Sequence, residues 1–291
     1  AKVANVIGPG IAPNSLATNA AKVNALWADW TAIADADGTF DLYGMMAAAY
    51  RAMVLDGEVL IRKRPRRVAD GYTVPLQLQL LEIDWLDSTK TGTQGGNTII
   101  AGIEYNAIGQ RVAYWLFDQH PGEQVSMRKG RSASKAVPAD SIIHLYNPGR
   151  PGQGRGVTDL ASIIARTRDL ETYDDSERAR KNLESRLAVL ASGDVQQMQA
   201  PDPGEQADHA TGNLGSLAGG AIMRVPDGLN ITVVEPKAAP GFVEYYRLQQ
   251  HIIAAGMGVT YEMLTRDVTQ VNFSSARVAL LEFRRVAEQL Q

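Results

Sequence analysis

From Val157 the chain opens a helical pattern that runs roughly to Ala191. Leu160, Ile163 and Ile164 mark its first turns, and Leu183, Leu187 and Leu190 mark its last. Between them, charges of both signs crowd the stretch from Arg166 to Arg186. Unbroken, such a helix spans about 50 Å at 1.5 Å per residue, and a break at Tyr173 to Asp175 would shorten it. A helix this long and this charged does not form the centre of a compact core. It spans between regions or lines an assembly.

The half before that helix changes period. Residues 19–34 carry Val23, Leu26, Trp27, Trp30 and Ile33 as a helical stripe, and Leu42 to Asp56 is a second helix rich in alanine and methionine. Strands are then expected over Glu58 to Arg64, Leu76 to Asp84, Thr98 to Tyr105, Gln110 to Phe117 and Ser141 to Tyr146. Leu76-Gln-Leu-Gln-Leu80 alternates strictly, so one face is wet, and Asn106-Ala-Ile-Gly109 fits a four-residue hairpin turn. The fold class is therefore α+β, with a mostly antiparallel sheet. Asn147 to Gly156, with two prolines and four glycines, reads as loop, and Gly152 to Gly156 within it as a flexible glycine hinge at the start of the long helix.

After the long helix, residues 193–220 are rich in proline and glycine. Short strands are expected at Ala221 to Val225 and Asn230 to Glu235, around Pro226-Asp-Gly228. Phe242 to Met257 is helical again, and Gly256 and Gly258 stop it, since glycine inside a helix costs about 1 kcal/mol against alanine. Thr265 to Asn272 is a polar interruption, and Asn272 or Ser274 can cap a last helix. Ala276, Leu280, Phe283, Ala287 and Leu290 form the seam of that helix.

Composition excludes several classes. Lysine plus arginine total 29 against 32 acidic residues, a net charge of −3, which does not suit tight DNA binding. Cysteine is absent, so there is no disulfide, thiolate nucleophile or cysteine–zinc site. No apolar stretch reaches the length of a membrane helix. Ala1 in place of a start methionine, and a helix still running at Gln291, mark the chain as a piece of a longer protein.

Motifs with chemical meaning are weak. Asp35-Ala-Asp-Gly-Thr-Phe-Asp41 resembles a calcium loop, but its glycine falls fourth and its twelfth position is Met46, so a helix end and turn is the better reading. Gly152-Gln-Gly-Arg-Gly156 lacks the Gly-Lys-Ser/Thr ending of a phosphate loop. The four histidines, at 120, 144, 209 and 251, have no ligand or triad spacing. Arg62-Lys-Arg-Pro-Arg-Arg67 is the densest basic run, either a nucleic-acid contact or a localisation tag, or a strand end entering a solvated turn at Pro65. No cofactor, metal or catalytic group is expected.

Six segments carry a family resemblance. Asn272-Phe-Ser-Ser-Ala-Arg277 and Leu280-Leu-Glu-Phe283 closely resemble the lambda-type phage portal proteins. So do Ile103-Glu-Tyr-Asn-Ala-Ile-Gly109, Val112-Ala-Tyr-Trp-Leu-Phe117, Asp56-Gly-Glu-Val59 and Gly154-Arg-Gly-Val-Thr-Asp159, in the family's order from about Asp35 onward.

The resemblance implies a portal-like fold. It divides the chain into a wing-like α+β domain (1–156), a long stem helix (157–192) and a small β-containing clip insertion (193–241). A second stem helix (242–258), a tunnel loop region (259–275) and a return helix (276–291) come next, with the crown missing. It implies a closed ring of twelve copies at one capsid vertex of the virion, assembled in the bacterial cytoplasm. Its partners would be the terminase large subunit, head-completion or tail-connector proteins, the major capsid protein and weakly, non-specifically bound duplex DNA. By the same resemblance Arg266, Asp267, Thr269, Gln270 and Asn272 form the DNA-channel loop. Asp169, Glu171, Asp174, Asp175, Glu177 and Glu184 could line the channel with repulsive charge. The alternatives are a head–tail connector or other ring scaffold, and a metal-dependent hydrolase built on Asp35 to Asp41.

Overall fold

The computed structural model describes residues 2–13, 15–16, 18–122, 133–184, 188–192, 230–234, 241–269 and 272–291. They fall into two units, residues 1–164 with 250–291 and residues 165–249.

The first unit begins with helices α1 (Lys2–Ile7), α2 (Ala20–Ala32) and α3 (Leu42–Asp56). Sequence dictates both ends of α3. The Asp41 side chain accepts the Gly44 amide at 2.7 Å, satisfying a donor of the first turn, and Gly57 ends the helix at φ +89°. Strand β1 (Glu58–Pro65) follows directly and lies between β2 (Leu76–Leu81) and β8 (Ile142–Tyr146) in an antiparallel three-stranded sheet. A second antiparallel sheet is a meander of β3 (Gly92–Gln94), β4 (Asn97–Ile100), β5 (Ile103–Tyr105), β6 (Arg111–Leu116) and β7 (Lys135–Pro138).

Leu60, Leu81 and Ile142 from the first sheet meet Ile103, Tyr114, Leu116 and Val137 from the second, with Leu86 between them. This apolar cluster holds the two sheets together, because each buried aliphatic side chain contributes about 2 kcal/mol. On the helical side, Val6 of α1 and Tyr50 of α3 pack with Ala287 of the last helix.

Three sequence expectations change. The long helix expected over 157–192 is α4 (Ile164–Glu184), about 32 Å long and running unbroken through Tyr173 to Asp175. Residues 157–158 are irregular and 159–163 are turns instead, with Thr158 accepting the Leu160 amide and donating its hydroxyl to the Val54 carbonyl. At the other end, Ala188–Ser192 is strand β9, paired antiparallel with β10 (Asn230–Val234). A partner strand some forty residues away overrides the helical spacing of its leucines. The strand expected at Ala221 to Val225 lies outside the described residues, as does most of 193–241.

Thr98 to Tyr105, expected as one strand, is two, folded back at Ala101-Gly102. The chain then continues through α5 (Phe242–Gly256), a short α6 (Tyr261–Thr265) and α7 (Phe273–Leu290). Helix α7 packs on α1 and α3 within the first unit. Its seam is buried at Phe283 and Ala287, while Ala276 is exposed.

Candidate functional site

The glycine-rich stretch before α4 is fastened rather than free. Glu58 opens β1, and its carboxylate is almost wholly buried. It accepts Arg155 Nε at 2.6 Å, the Gly156 amide at 2.8 Å and His144 Nε2 at 2.8 Å. Burial alone would raise the Glu58 pKa. The hydrogen bonds from His144 and Gly156 and the Arg155 charge outweigh it and hold the carboxyl below its ordinary range. Since Glu58 is the acceptor, His144 carries its proton on Nε2, and Tyr114 Oη faces the other ring nitrogen at 3.4 Å.

A second arginine completes the anchorage. Arg111 donates to Tyr146 Oη at 2.6 Å and to the Gly154 carbonyl at 3.1 Å, while Tyr146 donates to the Gln153 carbonyl. Arg155 also reaches the Ala101 carbonyl. The stretch read as a hinge is thus tied to both sheets, and the expectation of flexibility is corrected by the buried charges that hold it. Two glycines make this approach possible. A side-chain carbon at Gly156 would lie 2.8 Å from Glu58 Cβ, and one at Gly57 would lie 2.8 Å from Val157 Cα. Asp56-Gly-Glu-Val59 and Gly154-Arg-Gly-Val-Thr-Asp159, nearly a hundred residues apart, are two halves of one joint.

In the second unit α4 lies against α5 through aromatic rings. Tyr173 stacks on Phe242 at 5.6 Å and meets Tyr245 edge-on at 4.8 Å, and Arg166 bonds Gln249 at 2.7 Å. The six acids proposed as a repulsive lining separate here. Asp169, Glu171 and Asp175 are exposed. Asp174 pairs with Arg178 and Glu177 with Arg180, each at 2.6 Å on the same helix. The Arg180 hydrogen bonds hold Glu177 below the ordinary carboxylate range against the effect of desolvation. These two acids thus carry a counter-charge on their own helix. The Glu184 side chain lies outside the described residues.

The polar loop of the first unit is a chain of side-chain turns. Thr260 caps α6 by accepting the Met263 amide, and Arg266 closes it in the left-handed region at φ +61°. Thr265 Oγ1 accepts the Asp267 amide, and Asp267 in turn accepts both the amide and the hydroxyl of Thr269, at 3.0 and 2.6 Å. Arg266 and Thr269 are exposed, Asp267 is half-buried and Asn272 is exposed just before α7. Gln270 lies outside the described residues. The loop presents one cation among short polar groups that already bond to one another.

The Asp35 to Asp41 segment is a turn. The Asp35 carboxylate is occupied by the amides of Asp37, Thr39 and Phe40, so its oxygens serve the backbone, and Asp41 caps α3. Among the described residues no cluster of acidic or histidine side chains has the geometry to hold a metal ion, and no helix is long and apolar enough to cross a membrane. Sequence reasoning missed the Glu58–His144–Arg155 cluster. Its only local signal was a glutamate heading a strand that continues Val59-Leu60-Ile61.

A family model described as phage portal protein, lambda family, matches residues 1–291. A probable portal protein of Halomonas phage phiHAP-1 is 26% identical over 256 residues, which cover 86% of this chain and 48% of that one. Portal protein B of Escherichia phage lambda is 26% identical over 219 residues, covering 67% and 40%. The chain therefore spans about half the length, or less, of the curated relatives it matches. Among solved structures, a chain from the neck of a native gene transfer agent particle, computed with C12 symmetry, has a TM-score of 0.53 at 17% identity. That match covers 89% of this chain and 65% of the other. A chain from the neck of an empty particle, computed with C6 symmetry, gives 0.50 at 17% identity over 91% and 66%. These two establish likeness of fold.

Proposed function

Because the chain belongs to the lambda family of phage portal proteins, we propose that it acts as a portal subunit at a capsid vertex of a tailed phage. The single observation that carries this reading is the family match along the whole chain. The α+β architecture shared with the neck chain supports it. In this reading copies of the chain close into a ring, twelve by analogy with the C12 neck. Closure requires head-to-tail contacts related by rotation. Duplex DNA passes through the centre during packaging and again at ejection. One end of the ring docks the terminase large subunit and later the head-completion or tail-connector proteins, while the periphery contacts the major capsid protein in the virion. Assembly takes place in the bacterial cytoplasm.

Residues divide the work by their chemistry. The exposed Asp169, Glu171 and Asp175 of α4 face the channel and repel phosphates. The loop around Arg266, Asp267, Thr269, Gln270 and Asn272 touches the duplex. One arginine among short polar groups releases too few counterions to hold DNA fast. The Glu58 joint transmits no chemistry; it fixes the chain where the α+β unit leads into α4. The protein does no chemistry of its own, and the motor subunit supplies ATP hydrolysis.

Two measurements on the purified protein test this reading together. Sedimentation is expected to show one large closed species, and an ATPase assay without other subunits is expected to show no turnover. A monomer that hydrolyses ATP would contradict the reading.

A further inference from the structure

Arg62 and Arg64 stand two residues apart on β1 and so share one face of the strand. Leu60, on that same face, is fully buried between the two sheets. The arginines therefore continue the core outward and open into a cavity of about 350 Å³ at the mouth of the sandwich. Leu81, Leu116 and Val137 give it an apolar base, and Trp85 and Phe117 add aromatic surface.

The rest of the basic run is already satisfied. Lys63, on the opposite face, donates to the Asp140 carbonyl at 2.9 Å; Arg66 bonds Gln77 at 2.8 Å; Arg67 pairs with Asp70 at 3.0 Å. Of the cationic side chains in the run, those of Arg62 and Arg64 alone make no hydrogen bond or ion pair with any described residue. Both are half-buried, and burial together with the Arg64 charge pushes the Arg62 pKa down. Two like charges side by side in a partly dry cavity are unfavourable when empty and are relieved by an anion.

We propose that this cavity docks an acidic peptide segment of a partner protein, with an Asp or Glu carboxylate on the two guanidiniums and a neighbouring apolar side chain against Trp85 and Phe117. A carboxylate accepts paired N–H donors from arginine, and a guanidinium beside aromatic faces is a common anchor of protein interfaces. The shape disfavours nucleic acid. A duplex is too broad to enter a recess of this size, whereas a single carboxylate side chain is not. The inference stands apart from the ring: the cavity lies within one chain's α+β unit.

The test is fluorescence anisotropy of the whole protein against labelled hexapeptides in which Asp or Glu precedes Phe or Leu. The same peptides with Asn and Gln serve as the neutral comparison. The acidic peptides are expected to bind at least about tenfold tighter than the neutral ones, and the R62Q/R64Q double variant to remove that preference. R67Q, which breaks only an exposed pair, is expected to change binding less than about twofold. The thermal midpoint of R62Q/R64Q should equal or exceed that of the unchanged protein, because a repulsion is removed. Equal binding of acidic and neutral peptides, no loss in R62Q/R64Q, or a lowered midpoint would each overturn the proposal. So would a 20-base-pair duplex that binds through Arg62 and Arg64 where the peptides do not.

Discussion

Arg155 places its guanidinium 2.6 Å from the Glu58 carboxylate and so joins two points 97 residues apart in the chain. The pair sits where strand β1 begins and at the end of the glycine-rich stretch, so one buried charge holds those two segments together. The cost of burying Glu58 is offset by three donors rather than one.

Replacing Glu58 by glutamine keeps the shape but leaves His144 and Arg155 without their anion. Breaking a buried, hydrogen-bonded charge pair from one side costs about 3 kcal/mol. E58Q is expected to lower the urea midpoint accordingly. A double cycle with R155M should return a coupling energy of about 1–3 kcal/mol. A cycle near zero would show that the contact contributes nothing.

The same carboxylate gives stability a pH dependence of known sign. Its pKa in the folded chain lies below the ordinary 4.5, so the ionised form is favoured by folding. That contribution is complete above pH 4.5 and is lost as the pH falls through the lower folded value. The gap in unfolding free energy between the unchanged protein and E58Q should therefore be constant toward neutrality and narrow in acid. A gap that widens below pH 4.5 would reverse the assignment.

Glycines of different surroundings separate strain from crowding. Gly109 has φ +80° with open space around it, so G109A should cost only the left-handed backbone penalty, about 1 kcal/mol. Gly156 faces Gly57 and Glu58 directly, so G156A adds overpacking and should cost about 3 kcal/mol. Thermal unfolding of the two variants measures the difference, and equal effects would refute the close crossing of the two segments.

Arg266 offers a test of the channel loop. R266A is expected to leave assembly unchanged, because the side chain is exposed and only its backbone amide closes α6. Residual duplex affinity should fall uniformly across sequences, with the salt slope reduced by about 1 for each contact removed. An R266A protein that fails to assemble would assign Arg266 to the subunit contact instead.

Local chemistry made part of this fold legible. Leu42 to Asp56 is read from its alanine- and methionine-rich composition, and the helix has those bounds. The turn at Asn106 to Gly109 is equally local, closed by the Asn106 side chain and the Gly109 amide. The alternation in Leu76 to Leu80 marks the strand but not a wet face, because Gln77 is buried and bonds the Ile33 and Asp35 carbonyls while Leu76, Leu78 and Leu80 are half-buried. What failed depends on distant partners. Ala188 to Ser192 continues the helical spacing of Leu183, Leu187 and Leu190, and only pairing with β10 makes it a strand. Helix α6 is too short to display a period. The Glu58 cluster could not be found because β8, β1 and the glycine stretch meet only after the sheet has formed. In the basic run, six neighbours in sequence divide among separate surroundings once alternation along β1 is applied.

The most direct measurement is electron microscopy of the purified protein, with rotational averaging of end-on views. Closed rings are expected, with a central hole wide enough to pass duplex DNA and a copy number, read from the averages, of twelve. Uniform small monomers at every salt concentration, or open filaments without rotational closure, would contradict the portal reading.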